Sequence, residues 1–169
     1  PTKEQIKGRR DFRGDTVITI DGAHSKDFDD AISVEKNEKG FILGVHIADV
    51  SHYVKEGSEI DKEALSRATS IYFPDFVIPM LPEKLSNGIC SLNEGVERLT
   101  LSCIMKIDKS GSVYDYEFHN SVIKSRNRMT YKKVQKIIDG DKELREQYSH
   151  LVELLDNANE LQNILHKRR

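Results

Sequence analysis

No apolar run in these 169 residues approaches the roughly 20 needed to cross a bilayer. The opening PTKEQIKGRR has no hydrophobic stretch of the secretory kind, so no signal peptide is expected. Cysteine is scarce. Cys90 and Cys103 stand 13 positions apart with no CxxC pair and no neighbouring His, which excludes a disulfide framework and reads as two reduced, buried thiols of a cytoplasmic protein. Internal repeats and low-complexity tracts are absent. Pro1 occupies the place of an initiator Met, which reads as a processed or excised piece. With 37% hydrophobic and 32% charged residues, the composition suits one soluble domain with a real core.

The net charge of −2 hides an asymmetry. Residues 1–123 carry 15 Lys and Arg against 21 Asp and Glu, whereas residues 124–169 carry 11 against 7. A basic tail beside an acidic body hints at a polyanionic partner, although a solvated helix face explains such a tail equally well.

Up to about residue 128 the chain reads as strands. TVITI, AISVE, FILGVHIADV, LTLSCIMKI and SVYDYEFHNSVI are rich in β-branched and aromatic residues, several in period-2 alternation. EKNEKG and DKSG are turns with a late Gly. Between the third and fourth strands GSEIDKEALSRATS predicts a short helix capped by Ser58. The following IYFPDFVIPMLPEKLSNG holds three of the four prolines and predicts an extended surface path without regular strand or helix. From about Thr130 the period becomes helical. MTYKKVQKIIDG stops at Gly140. A longer helix then places Leu144, Tyr148, Leu151, Leu155, Ala158, Leu161 and Leu165 on one face. The expected class is α+β: a mixed, mostly antiparallel sheet (12–128) with C-terminal helices (130–169), forming one domain over 1–169.

DGAHSKDFDD concentrates Asp21, Asp27, Asp29 and Asp30 between two strands. Crowded carboxylates repel, and burial adds to the cost. Either water takes up the charge in an ordinary acidic turn, or a cation does. Magnesium suits a few carboxylates completed by waters and phosphate oxygens. An EF-hand loop counted from Asp27 fails, because Ile32 falls where the turn-forming Gly belongs and Ala31 replaces a ligand. Spacing alone leaves the solvated turn and the cation site both open.

TIDGAHSKDFDDAISV, LGVHIADVSHYV and IYFPDFVIPMLPEKLSNGICSLNEGVERLTLS together resemble the RNB catalytic domain of the ribonuclease II/ribonuclease R family, from about Gly8 to the end of the chain. The resemblance implies processive, Mg2+-dependent 3′-to-5′ exoribonucleases that release nucleoside 5′-monophosphates, Mn2+ being an alternative ion. It implies that Asp21, Asp27, Asp29 and Asp30 hold the metal, and that loss of Asp29 most purely abolishes chemistry. It makes Tyr72 a stacking platform for the RNA 3′ end, where the residue pattern alone favours core packing. The implied partners are single-stranded RNA 3′ ends and the rest of the same polypeptide, including a longer catalytic domain and the cold-shock and S1 modules, which have no counterpart here. The isolated chain is therefore expected to be weakly active or inactive. The rival is a non-catalytic RNA-binding or protein-interaction module on the same fold. An endonuclease, the third reading, would leave internal cuts.

His46, Asp49 and His52 invite a zinc reading, but in an extended segment Asp49 faces away from both histidines. Arg98 and Asn93 are possible phosphate contacts, with a surface ion pair to Glu94 or Glu97 the plainer reading. The terminal KRR is expected to be a solvated helix end.

Overall fold

The computed structural model describes residues 1–168. The chain runs α1 (Lys3–Ile6), β1 (Arg10–Asp11), β2 (Ile18–Asp21), β3 (Asp30–Asn37), β4 (Gly40–Ala48), α2 (Val50–Tyr53), α3 (Glu59–Arg67), β5 (Ile71–Tyr72), β6 (Val77–Ile78), a wide π-type turn (Lys84–Ile89), β7 (Glu97–Asp108), β8 (Val113–Lys124), β9 (Asn127–Thr130), α4 (Tyr131–Ile138), α5 (Lys142–Gln147) and α6 (Ser149–Arg168). Seven strands form one sheet in the order β1-β8-β7-β4-β3-β2-β9. Its centre is antiparallel, and the two outermost pairs, β1 with β8 and β2 with β9, are parallel. The α+β class with C-terminal helices is as the sequence implied. No described helix is long and apolar enough to cross a membrane.

The hairpins follow from turn chemistry. In the β3–β4 turn Asn37 Oδ1 accepts from the amides of Lys39 and Gly40, closing an Asx-type turn. Gly40 has φ +149°, and a Cβ there would stand 2.1 Å from the Ile107 carbonyl oxygen of the neighbouring strand. Only glycine fits. At the other end, Gly140 at φ +91° ends α4 in the left-handed conformation.

The sheet separates two apolar layers. On one side α4 and α6 bury Ile18, Met129, Ile137, Leu151, Leu154 and Leu155. Further along α6, Leu161 packs on Val34, Phe41 and Ile107. The helical stripe is interrupted at Tyr148, whose φ of −108° and ψ of 32° separate α5 from α6. Leu165 stays partly exposed. On the opposite side Phe12, Val17, Phe28, Ala31, Ala48, Cys90, Leu92 and Ile123 form a second core. Cys90 is buried and Cys103 half-buried, both as free thiols.

The proline-rich segment corrects one expectation. β5 and β6 pair as a short hairpin, Ile71 opposite Ile78 and Tyr72 opposite Val77, and the π-type turn follows. Pro74 lies in the hairpin tip, which Phe73 N–H closes on the Phe76 carbonyl at 2.9 Å. Pro79 and Pro82 fall just outside both elements. Proline removes a donor, so it is tolerated wherever no ladder bond is required, and here none of the three interrupts a paired residue.

Candidate functional site

Asp21 is the last residue of β2 and Asp30 the first of β3. The eight residues between them are anchored first by one apolar side chain. Phe28 is buried in the second core, and its flanking neighbours Asp27 and Asp29 remain at the rim. Backbone bonds fix the anchor: Leu92 N–H donates to the Phe28 carbonyl at 2.8 Å, and Ala48 N–H to the Asp29 carbonyl at 2.9 Å. Ser91, fully buried, bridges the same turn. Its Oγ accepts from Phe28 N–H at 3.0 Å and donates to the Lys26 carbonyl at 2.9 Å.

The first half of the loop is held from β9. That strand runs parallel to β2 with Arg128 opposite Thr19. Arg128 Nη2 donates to the carbonyls of Gly22 and Ala23 at 2.9 and 2.8 Å, with a longer contact to Ser25 at 3.4 Å. Its guanidinium carbon lies 5.1 Å from the centre of the Phe28 ring, within cation–π range.

The four carboxylates affect one another. Burial, then the proximity of Asp30, raises the Asp21 carboxyl above the ordinary carboxylate range, with Arg128 opposing and Asp27 and Asp29 adding. Burial, then Asp27 and Asp30, raises Asp29 likewise. Among the described residues none of the four forms an ion pair with Lys, Arg or His. Asp21 Oδ2 is buried without a hydrogen-bond partner. An all-oxygen, anionic donor set with an unsatisfied buried oxygen fits a hard divalent cation. The carboxylates are not drawn in to ligand distance: no three His, Cys, Asp or Glu side chains converge on one point among the described residues. The chemistry of the residues fits the ion, and holding it would require the carboxylates to draw together.

Tyr72 stands over this rim rather than in the core. It is 66% exposed, and its Oη donates to Asp27 Oδ2 at 3.1 Å. Beyond it, Phe73 and Phe76 stack with centroids 4.6 Å apart. The structure thus joins Tyr72 to the aspartates, where the residue pattern alone had favoured core packing.

The remaining sequence-derived residues lie elsewhere. His46 is fully buried in β4, with Nδ1 2.6 Å from Ser102 Oγ, and burial lowers its pKa to about 4. The segment is extended only to Ala48. Asp49 caps α2, accepting from His52 N–H, and pairs with Arg9 at 2.7 Å. That ion pair accounts for the Asp, and no metal reading is needed. Among the described residues Arg98 makes no carboxylate pair. It donates instead to the carbonyls of Ser91, Gly88 and Glu97 at 2.8, 3.0 and 3.1 Å, so the expected surface ion pair is replaced by a carbonyl clamp on the segment behind the site. Asn93 donates to the Ser91 carbonyl, and Glu94 accepts from Arg128 N–H. Of the terminal KRR, Arg168 donates to the Gly111 carbonyl at 2.7 Å, and Arg169 lies outside the described residues. Neither Ser91 nor Arg128 was singled out from the sequence: Ser91 lies within a stretch that carries the family resemblance but was given no role there, and Arg128 lies outside those stretches.

Comparison with known proteins places this geometry. The RNB domain model matches residues 9–169. Ribonuclease R of Thermotoga maritima is 54% identical over 168 residues, covering 99% of this chain and 24% of the relative. Mycoplasma genitalium RNase R in complex with double-stranded RNA superposes with a TM-score of 0.91 at 36% identity, covering 99% of this chain and 30% of that one. Yeast Ssd1, described as a pseudonuclease, superposes at 0.71 with 25% identity, over 80% of this chain and 17% of that one. The chain thus spans about a quarter of the length of the curated relatives it matches. It belongs to the RNB domain family.

Proposed function

We propose that this chain is the part of a 3′-to-5′ exoribonuclease that carries its acidic centre, hydrolysing the 3′-terminal phosphodiester of RNA and releasing nucleoside 5′-monophosphates. The observation that carries the reading is the set of four carboxylates at one rim, none in an ion pair among the described residues and one with a buried, unpartnered oxygen, under an exposed Tyr72. Asp21, Asp27, Asp29 and Asp30 would hold Mg2+, or Mn2+ in its place. Bound there, the ion would neutralise charge developing on the phosphate and make a nearby water more acidic. Asp29 accepts a hydrogen bond from the attacking water and so aims it. Tyr72 offers its ring face to the terminal base, a contact tolerant of sequence and worth about 1–3 kcal/mol per base. The Asp27 bond at the tyrosine hydroxyl sets the angle at which that ring stands over the carboxylates.

The remainder of the same polypeptide is the proposed partner beside RNA, with cold-shock and S1 modules among it. In support, the helix side of the sheet is only partly covered. Ile47 and Leu101 are paired in register and both about half exposed, and Tyr116 and Phe118 of β8 are more so. An apolar area of this kind is ordinarily covered. The buried Cys90 thiol and the half-buried Cys103 suit the cytoplasm.

The second reading is supported by the neighbour described as a pseudonuclease: the fold alone does not decide activity, which must be argued from the carboxylates and tested on them. A chimera answers this, with the chain replacing its counterpart in Thermotoga maritima ribonuclease R. It should release nucleoside monophosphates from 3′-labelled single-stranded RNA in Mg2+, and Asp29→Asn should abolish release while RNA binding persists. A folded chimera that binds RNA without hydrolysis would make this chain a binding module. Internal cuts insensitive to a blocked 3′ end would make it an endonuclease.

A further inference from the structure

We propose that Arg128 is the positioning residue of the acidic centre, a latch that holds the 22–29 loop so that the four carboxylates stay free for a cation. The inference rests on the metal reading above and adds a residue to it.

The placement is topological before it is chemical. β9 adds to the sheet parallel to β2, with Ile18, Thr19, Ile20 and Asp21 opposite Asn127, Arg128, Met129 and Thr130. Met129 is buried under the helices. Side chains alternate along a strand, so Arg128 projects to the other face, beneath the loop that leaves β2. There the guanidinium meets carbonyls of Gly22, Ala23 and Ser25 and the face of Phe28. It therefore touches both halves of the loop, the turn after Asp21 and the apolar anchor between Asp27 and Asp29. Glu94 holds the Arg128 backbone N–H at 2.7 Å, which fixes the strand from which the latch acts.

What the cation does not do is as informative. A guanidinium beside four carboxylates would ordinarily take one in a two-pronged pair. Among the described residues the Arg128 guanidinium forms no such pair, and its hydrogen bonds go to carbonyl oxygens. Three buried side-chain atoms without partners are found among the described residues: Thr19 Oγ1, Asp21 Oδ2 and Arg128 Nε. All belong to β2 and β9 beside this loop. Unpaired buried polar atoms are costly, and a folded chain keeps them where another constraint dominates. That constraint is the loop shape: the arginine turned onto the carbonyls leaves Asp21 without a cation of its own. Lysine would keep a charge near the carbonyls but lacks the planar fork that lies on Phe28 while donating.

The test compares wild type, Arg128→Lys and Arg128→Gln by amide hydrogen exchange and by the thermal shift induced by Mn2+ alone. Arg128→Gln should speed exchange across Gly22–Asp30 by about tenfold or more, because hydrogen bonds from a charged donor are lost, with β7 and β8 amides unchanged. It should raise the Mn2+ concentration needed for a half-maximal shift by a similar factor, with Arg128→Lys in between. Loop exchange equal to wild type overturns the latch, and so does equal acceleration throughout β7 and β8, which would make Arg128 merely structural. If Arg128→Gln does not fold, Arg128→Lys decides alone, and wild-type loop exchange in it overturns the proposal. A wild-type chain that ignores Mn2+ removes the metal reading while leaving the latch to be judged on exchange.

Discussion

Replacing Ser91 by Ala should destabilise the fold by about 2 kcal/mol. The side chain is fully buried and serves two backbone groups, accepting from Phe28 N–H and donating to the Lys26 carbonyl. Removing Oγ leaves the buried Phe28 amide without a partner, a loss of about 1–3 kcal/mol. The Lys26 carbonyl belongs to an exposed residue and recovers much of its bond from water, so it adds little. Methyl and hydroxymethyl are close in volume, so the cavity term is minor. At this chain length about 2 kcal/mol corresponds to a fall in Tm of about 4–8 °C. Urea unfolding with unchanged slope is the assay, with Ser110→Ala as the control at an exposed turn. A change below about 0.5 kcal/mol, the scale of ordinary surface substitutions, would refute the claim that Ser91 holds the DFDD turn.

Further outcomes follow from the same reasoning. Gly40→Ala should cost about 3 kcal/mol or more, since its Cβ would meet Ile107 O at 2.1 Å at a backbone angle that L-residues avoid; near-normal stability in a denaturant melt would contradict the register of β4 against β7. His46 titrates near 4 when folded, against 6.5 for a free imidazole, so its stabilising contribution is complete above 6.5. It is lost as pH falls towards 4, because the unfolded chain then binds the extra proton, up to a ceiling of about 3 kcal/mol. His46→Gln should flatten stability between pH 6.5 and 4, and an unchanged slope would refute the burial argument. Arg9→Met should cost about 3 kcal/mol by stranding the buried Asp49 carboxylate, and Arg9→Met with Asp49→Asn should recover most of it; equal losses in the single and double variants would contradict that origin.

The long strands and the helices were legible because each carries many residues of one period. β7 and β8, with 12 residues apiece, alternate long enough to declare themselves. β1, β5 and β6, at two residues each, carry no period at all. β9 reads Asn-Arg-Met-Thr and looks like a polar loop. It is a strand only because β2, more than 100 positions earlier, offers it a parallel edge. The helical stripe was right about the buried face and blind to the break at Tyr148, which a change of backbone angle makes without interrupting the spacing of leucines. At the site, the four aspartates were legible because they lie within ten consecutive residues. Ser91 and Arg128 reach the same loop from separations of 63 and 106 residues, and local pattern carries no signal for such pairings. The zinc reading of His46, Asp49 and His52 was set aside on strand geometry, and the structure gives a different reason: Asp49 starts a helix and faces Arg9.

Thermal stability of the wild-type chain and of Asp21→Asn, each with and without Mg2+, tests the central claim most directly. Opposite signs are expected in the two conditions. Without metal, Asp21→Asn should melt higher than wild type, because it removes a partly buried carboxylate raised by burial and by its acidic neighbours. With Mg2+ the wild type should gain stability as binding to the folded state requires, and the variant should gain little. Equal Mg2+ responses in the two chains would contradict the claim, because the cluster would then be an acidic turn that water alone sustains.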